Sequence, residues 1–267
     1  MMKPTDFHDY IWEQGKLLYR DMPWRREIHP YYILVSELML QQTQVERVIP
    51  KFEAFIQRFP DTQTLAESSL SDVVVLWNGL GYNRRAKYLH DSSKRIMNEY
   101  GGLIPHTVSQ LMTLPGVGPG TAGAIAVYAF NQPIPFIETN VRTVYFQHFF
   151  SDVDTVSDSQ LLSLVEKTID REHPREFYWA LMDYGSWLKH QGSGRITKSL
   201  HYKKQAALIG SIREVRGQII RQLSIADCSE GKLRVDTSAD ERFDMALAAL
   251  MDDGLVMRTH DRLHLTK

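Results

Sequence analysis

The chain has 267 residues, with 31 Lys and Arg against 32 Asp and Glu and a formal net charge of -1. With 43% hydrophobic residues it can bury a sizeable core in one large or two small domains, and its near-zero charge excludes a globally basic nucleic-acid binder while leaving room for a locally basic face. The one cysteine, Cys228, excludes an internal disulfide and a cysteine-ligated zinc or iron–sulfur site built from this chain, and no apolar run reaches the roughly 18 residues of a membrane span.

In chain order the reading is overwhelmingly helical. A first helix is expected over His8 to Tyr19, interrupted at Pro23. Met1 to Arg20 mixes charge with aromatics and has no signal-peptide core, so a cytoplasmic protein is expected. Helices follow over Tyr31 to Gln42 and Gln44 to Phe59; the latter carries an apolar stripe of Val45, Val48, Ile49, Phe52, Phe55, Ile56 and Phe59. Leu65 to Ala66 and Ser71 to Trp77 read as short helices, Gly79-Leu80-Gly81 as a turn, and Arg84 to Tyr100 as a helix closed by Gly101-Gly102. Further helices are expected at Val108 to Leu114, Thr139 to Phe150, Ser159 to Asp170 and Pro174 to about Leu188. From Lys189 to Lys204 come five basic residues and no acid, a segment that suits either a phosphate-contacting linker or a solvated loop. Beyond it, Ile212 to Leu223 and Ala239 to Met251 read as helices and Lys232 to Val235 as a strand. Leu255 to Arg258 and Arg262 to Leu265 suit a hairpin around His260-Asp261. This unit fits a winged-helix-like module as well as it fits a helical domain that only packs on the body.

The stretch Leu114 to Ala124 is the centre of the reading. Gly116, Gly118 and Gly120 alternate through a tight turn, and the apolar run Ala122 to Phe130 follows. A glycine turn feeding a helix N-terminus offers free N–H groups and a positive dipole end to one phosphate. Helix, glycine hairpin, helix is the layout that grips a DNA backbone, and the same residues are equally compatible with a plain turn.

From Trp24 onward the motifs become specific. Pro23-Trp24-Arg25, Pro30-Tyr31 and Val35 to Val45 (Val-Ser-Glu-Leu-Met-Leu-Gln-Gln-Thr-Gln-Val) resemble adenine DNA glycosylases of the MutY family. Val48-Ile49-Pro50 with Phe52, and Leu76-Trp77 with Gly79 to Tyr82, continue the likeness in order, and the glycine hairpin completes it. The resemblance covers roughly Asp21 to Leu188. It implies a mainly α, two-lobed helix-hairpin-helix glycosylase fold over residues 1–200: a six-helix lobe at about 24–132 and a second lobe from 1–23 plus 133–200. The small α+β winged-helix-like module occupies 205–267.

Excision of a base breaks an N-glycosidic bond through an oxocarbenium-like state, which calls for one carboxylic acid and one carboxylate. The resemblance assigns these to Glu37 and Glu138. Glu37 lies in the apolar stretch Leu34 to Leu40, where desolvation favours its protonated form; outside such a motif a helical glutamate is usually solvated. Glu138 stands where the family usually has aspartate, and as the residue before a helix it also suits an N-terminal cap. Asn140 is expected to hold the carboxylate and Arg142 to meet a phosphate. The resemblance further implies that Trp24, Arg25, Leu40 and Asp183 line a pocket for the flipped base. Gln42, next to Thr43, would fill the hole left behind, and Tyr82 would wedge into the stack. Gly116, Gly118, Gly120 and Thr121 form the proposed phosphate clamp, whose carbonyls are candidates for a monovalent cation, and Arg195 and Lys198 are candidate DNA contacts in the basic segment.

Three departures from the family stand out. Gly120 occupies the position of the lysine nucleophile of endonuclease III-like lyases, so a monofunctional glycosylase without efficient strand cleavage is expected. No cysteine follows Gly185, so the iron–sulfur cluster is expected to be absent, and no metal ligand set is expected elsewhere. The small C-terminal unit stands in place of the Nudix-like domain. The expected substrate is adenine opposite guanine or 8-oxoguanine in double-stranded DNA, handled by a monomer with no membrane partner. The alternatives are a glycosylase for mispaired uracil or thymine, and a non-catalytic mismatch-binding protein.

Overall fold

The computed structural model describes residues 3–151, 153, 155–193, 196–199 and 207–267. Its helices are α1 (Pro4–Leu17), α2 (Pro23–Arg26), α3 (Pro30–Leu40), α4 (Val45–Arg58), α5 (Thr62–Glu67), α6 (Leu70–Trp77), α7 (Arg84–Tyr100), α8 (Val108–Leu111) and α9 (Pro119–Phe130). Then follow α10 (Thr139–Phe149), α11 (Asp158–Thr168), α12 (Pro174–His190), α13 (Ile212–Leu223), α14 (Glu230–Asp236) and α15 (Phe243–Asp252). One antiparallel hairpin, β1 (Val256–Thr259) with β2 (Arg262–Leu265), closes the chain in the register Val256 opposite Leu265.

Local chemistry sets many of the boundaries. Asp61, Ser69, Thr107, Ser157 and Ser229 each accept a backbone N–H of the first turn they precede, and Ser157 with Gln160 forms a full capping box. Prolines occupy the first turns of α1, α2, α9 and α12, where the missing N–H costs nothing. Helix α7 ends on Gly101 in the left-handed region, φ 60°.

The chain forms two compact units. Unit one comprises Met1–Ile33, His106–Met112 and Val117–Lys204. In it, α1 lies so close to α12 that a Cβ on Gly15 would sit 2.5 Å from Ala180 Cβ. Phe7 packs on Tyr145 and Phe149 with ring centroids 5.1 and 4.8 Å apart, which ties α1 to α10. Tyr178 of α12 stacks on Phe136 at 4.1 Å and accepts the Phe136 N–H at 2.9 Å, fixing the approach to α10. Helix α9 is apolar around most of its circumference and is correspondingly buried from Ala122 to Tyr128.

Unit two comprises Leu34–Pro105, Thr113–Gly116 and Gln205–Lys267. Val48, Phe52 and Phe55 turn the apolar face of α4 inward, and Phe55 meets Trp77 of α6 edge-on at 6.3 Å. In the C-terminal stretch Ile219, Ile220, Leu250, Leu255 and Leu263 are wholly buried, and Cys228 bridges to Leu263 beside the hairpin. Three helices followed by a two-stranded tip give the winged-helix order. The strand expected at Lys232 to Val235 is instead the core of α14. Ser229 caps its N-terminus, Arg234 pairs with Glu230 one turn back at 2.9 Å, and only Leu233 needs burial while Val235 stays exposed. A four-residue alternation is too short to outweigh a cap and an i,i+4 pair.

Candidate active site

In unit one the site is built at the N-terminus of α10. Glu138 is its N-cap: the carboxylate Oε1 accepts the Asn140 N–H at 3.0 Å. The Asn140 backbone makes the 3.0 Å bond, and its side-chain amide also bears on the Glu138 carboxylate while lying 3.9 Å from Met182 Sδ. Asn140 Oδ1 is buried and accepts no hydrogen bond from the described residues. Helix α12 reaches this corner because residue 185 is glycine: a Cβ there would lie 2.5 Å from Asn140 O. The face of α12 carrying Met182, Gly185, Ser186 and Lys189 follows helical spacing, and Lys189 bears electrostatically on Glu138. Burial pushes the Glu138 carboxyl above the usual glutamate value, opposed by the Asn140 N–H and by the charges of Lys189 and Arg20. Burial also lowers Lys189, while Glu138 pulls it back up. Neither Lys189 nor Arg20 was singled out in the sequence as a partner of Glu138.

Asp183 is almost wholly enclosed and is held by two arginines. Arg25 donates to its two oxygens at 2.7 and 3.0 Å, and Arg20 donates from Nε at 2.7 Å and from its backbone N at 3.1 Å. Buried in its turn, Arg25 lies 5.2 Å from the Trp179 ring centroid and 5.6 Å from that of Tyr19. Bidentate geometry of this kind makes Asp183 the anchor of Arg25 and of the chain leading to α2, next to the buried Trp24.

In unit two, Glu37 lies on α3 among Leu34, Val35, Leu38 and Met39, none more than 1% exposed, and is itself half-buried. Leu40, in the last turn, is half-buried. Gln42 and Tyr82 both adopt left-handed backbone, φ 55° and 48°. Non-glycine residues held there carry strain, and such strain gathers at functional positions. One buried side chain joins the two turns. Arg85 donates to the carbonyls of Leu38, Met39 and Gln41 at 2.9, 2.8 and 2.5 Å, to Thr43 Oγ1 at 3.0 Å and to Gly81 O at 3.0 Å. It caps the C-terminus of α3 with a cation and clamps the Tyr82 loop to it. Its burial lowers the guanidinium to about 10. Nothing in the sequence separates Arg85 from its exposed neighbour Arg84, and the hub was missed there. Gln41 donates to Gly116 O at 3.0 Å, and Gly116 itself, φ 77°, packs against Tyr88 with no room for a Cβ.

The glycine hairpin leads from Gly116 to Gly118, the N-cap of α9, and on through Pro119, Gly120 and Thr121 in the first turn. No atom lies within 4 Å of a Cβ built on Gly118, and one on Gly120 would be in ordinary contact with Ile137 O at 3.5 Å. The three basic candidates fare differently. Arg142 is paired fork to fork with Asp158 at 2.5 and 2.8 Å. Lys198 donates to the carbonyls of Phe150, Ser151 and Val153 at 2.9, 2.7 and 2.7 Å, which occupies its three N–H donors beyond the end of α10. Arg195 lies outside the described residues. No group of His, Cys, Asp and Glu among the described residues could hold a metal, and no described helix is long and apolar enough to cross a membrane. Helix α12 continues from Gly185 to His190 without a thiol, so the residues present do not fit a four-cysteine cluster.

Residues 35–168 match the HhH-GPD superfamily of base excision DNA repair proteins. An adenine DNA glycosylase of Mycobacterium tuberculosis is 33% identical over 284 aligned residues, covering 96% of this chain and 91% of that one. Among solved structures, a thermostable thymine-DNA glycosylase superposes with a TM-score of 0.65 at 25% identity, over 68% of this chain and 86% of that one. A non-covalent endonuclease III–DNA complex does so at 0.61 and 19% identity, over 70% and 87%.

Proposed function

Since the chain belongs to the HhH-GPD superfamily of base excision DNA repair proteins, we propose that it is a monofunctional glycosylase that hydrolyses the N-glycosidic bond of adenine mispaired with guanine or 8-oxoguanine. Glu37 is the acid: it delivers a proton to adenine N7 as the glycosidic electron pair withdraws into the base. Glu138 is the carboxylate that steadies the sugar cation and takes a proton from the attacking water. Asn140, with its buried acceptor, and the anchored Arg25 beside Trp24 serve the extruded base, as does Leu40. Gln42 and Thr43 face the gap in the duplex and Tyr82 enters the stack. Gly116, Gly118, Gly120 and Thr121 clamp a phosphate at the start of α9, where a monovalent cation is a candidate ligand. Gly120 supplies no amine for a Schiff base, and the single cysteine supplies no cluster. The proposed domain organisation remains a glycosylase core over 1–200 with a module at 205–267, acting as a monomer on duplex DNA.

The observation that carries this reading is the Glu37-bearing buried helix α3, whose end the Arg85 hub ties to the Tyr82 loop. Single-turnover excision of adenine opposite guanine and opposite 8-oxoguanine, developed with and without alkali, tests it. Breaks are expected only after alkali, and Glu37→Gln is expected to slow excision by about 10²- to 10⁴-fold. Normal excision by that variant removes Glu37 from the mechanism. A second reading, thymine or uracil as the excised base, draws on the likeness to the thymine-DNA glycosylase; activity confined to those bases in a mismatch panel selects it.

A further inference from the structure

The C-terminal stretch of unit two engages the tyrosine assigned to the base stack. Arg213, in the first turn of α13, donates from Nη1 to the Tyr82 phenol oxygen. Its Cζ lies 4.9 Å from the Tyr82 ring centroid, and that of Arg85 lies 5.6 Å from the same ring. Arg213 Nη2 donates to Ala207 O at 3.3 Å. Two residues beyond Tyr82, the same stretch takes a second hold. Asp253, at the end of α15, accepts from Arg216 of α13 at 2.6 Å and pairs with Arg84 of α7 at 3.4 Å. Residues 207–267 hold nine Lys and Arg against ten Asp and Glu, so this stretch brings no positive excess with which to gather phosphates. Its contact with the Tyr82 loop needs another explanation.

We propose that Arg213 is a positioning residue for Tyr82, through which the C-terminal module presets the phenol for insertion into the base stack. The inference rests on the reading of Tyr82 given above. A phenol held by a charged hydrogen bond and a guanidinium over its ring has already given up its rotamer freedom, so insertion meets a smaller entropic cost. The left-handed backbone at Tyr82, φ 48°, is the kind of conformation that persists only when neighbours hold it.

The test compares the full chain with Arg213→Ala, Arg213→Lys, Tyr82→Ala and the double variant Arg213→Ala/Tyr82→Ala. Three quantities are read on a mismatched duplex: extrusion of the base, from 2-aminopurine fluorescence beside the mismatch; the single-turnover excision rate; and the salt dependence of affinity. Arg213→Ala should lower extrusion and excision about tenfold, and Arg213→Lys, which keeps a cation at the ring, should recover most of it. The double variant should be no worse than Tyr82→Ala alone, and the salt slope should not change. An equal loss from Arg213→Ala in the Tyr82→Ala background overturns the proposal, because Arg213 then acts elsewhere. A salt slope reduced by about one identifies a phosphate contact and overturns it too. Unaltered extrusion in Arg213→Ala does the same. If the unmodified chain excises no adenine, the adenine reading fails by itself, and the extrusion arm, which needs only bound duplex, still decides the role of Arg213.

Discussion

Glu138 is an N-cap by structure and the cation-stabilising carboxylate by proposal. As an N-cap its carboxylate takes the Asn140 N–H, and burial raises its proton affinity against the pull of Lys189 and Arg20. A carboxyl raised in the folded state supports folding below its unfolded value and withdraws that support as pH rises through the folded value. Glu138→Gln should therefore gain stability over the parent at pH 8 but not at pH 4, as read from urea midpoints; the opposite order contradicts the burial argument. In the proposed mechanism the same balance would set the rate, because a cation-stabilising Glu138 acts in its ionised form. Removing a cation that favours that form, in Lys189→Met, should shift the acid limb of the single-turnover pH–rate profile to higher pH. A limb that does not move separates Lys189 from Glu138.

Between elements, glycine decides how close two helices come. At Gly185 a methyl group would meet both the backbone oxygen and the Cβ of Asn140, at 2.5 and 2.8 Å, and neither is the free end of a flexible side chain. Gly185→Ala should cost about 2 kcal/mol of stability, seen as a lowered Tm, and should slow excision because the start of α10 shifts. An unchanged Tm shows that α12 can slide without loss. The Arg85 hub is the counterpart in unit two, where one guanidinium satisfies the end of α3 and the Tyr82 loop together. At this scale α14 is where pattern misled: a run of four alternating residues suggested a strand, and a serine cap with an ion pair made a helix.

At the scale of the whole molecule, a chain of net charge -1 is expected to hold duplex DNA by local features such as the hairpin N–H groups. Its affinity should fall steeply with salt, with a log–log slope of about −3 or steeper if about three or more phosphates are engaged. A flat salt dependence contradicts cationic contacts with the DNA backbone and leaves the neutral hairpin N–H groups as the grip. Much of the organisation was legible beforehand. The helices Arg84–Tyr100 and Ile212–Leu223 and the turn at His260 were read from local pattern and, for the first helix, from its glycine stop, signals that act over a few neighbours. The Glu37 and hairpin motifs were legible because their residues are contiguous. The partners of those motifs were not: Lys189 stands 51 positions from Glu138 and Arg213 stands 131 from Tyr82. Lys198 and Arg142 read as candidate DNA contacts, and in the structure they are engaged at carbonyls and at Asp158. Chain-local preferences specify which segments become helices and where they stop. Which charge is buried, which is paired and which glycine must stay small depends on contacts between distant segments, and those exist only once the apolar faces have packed.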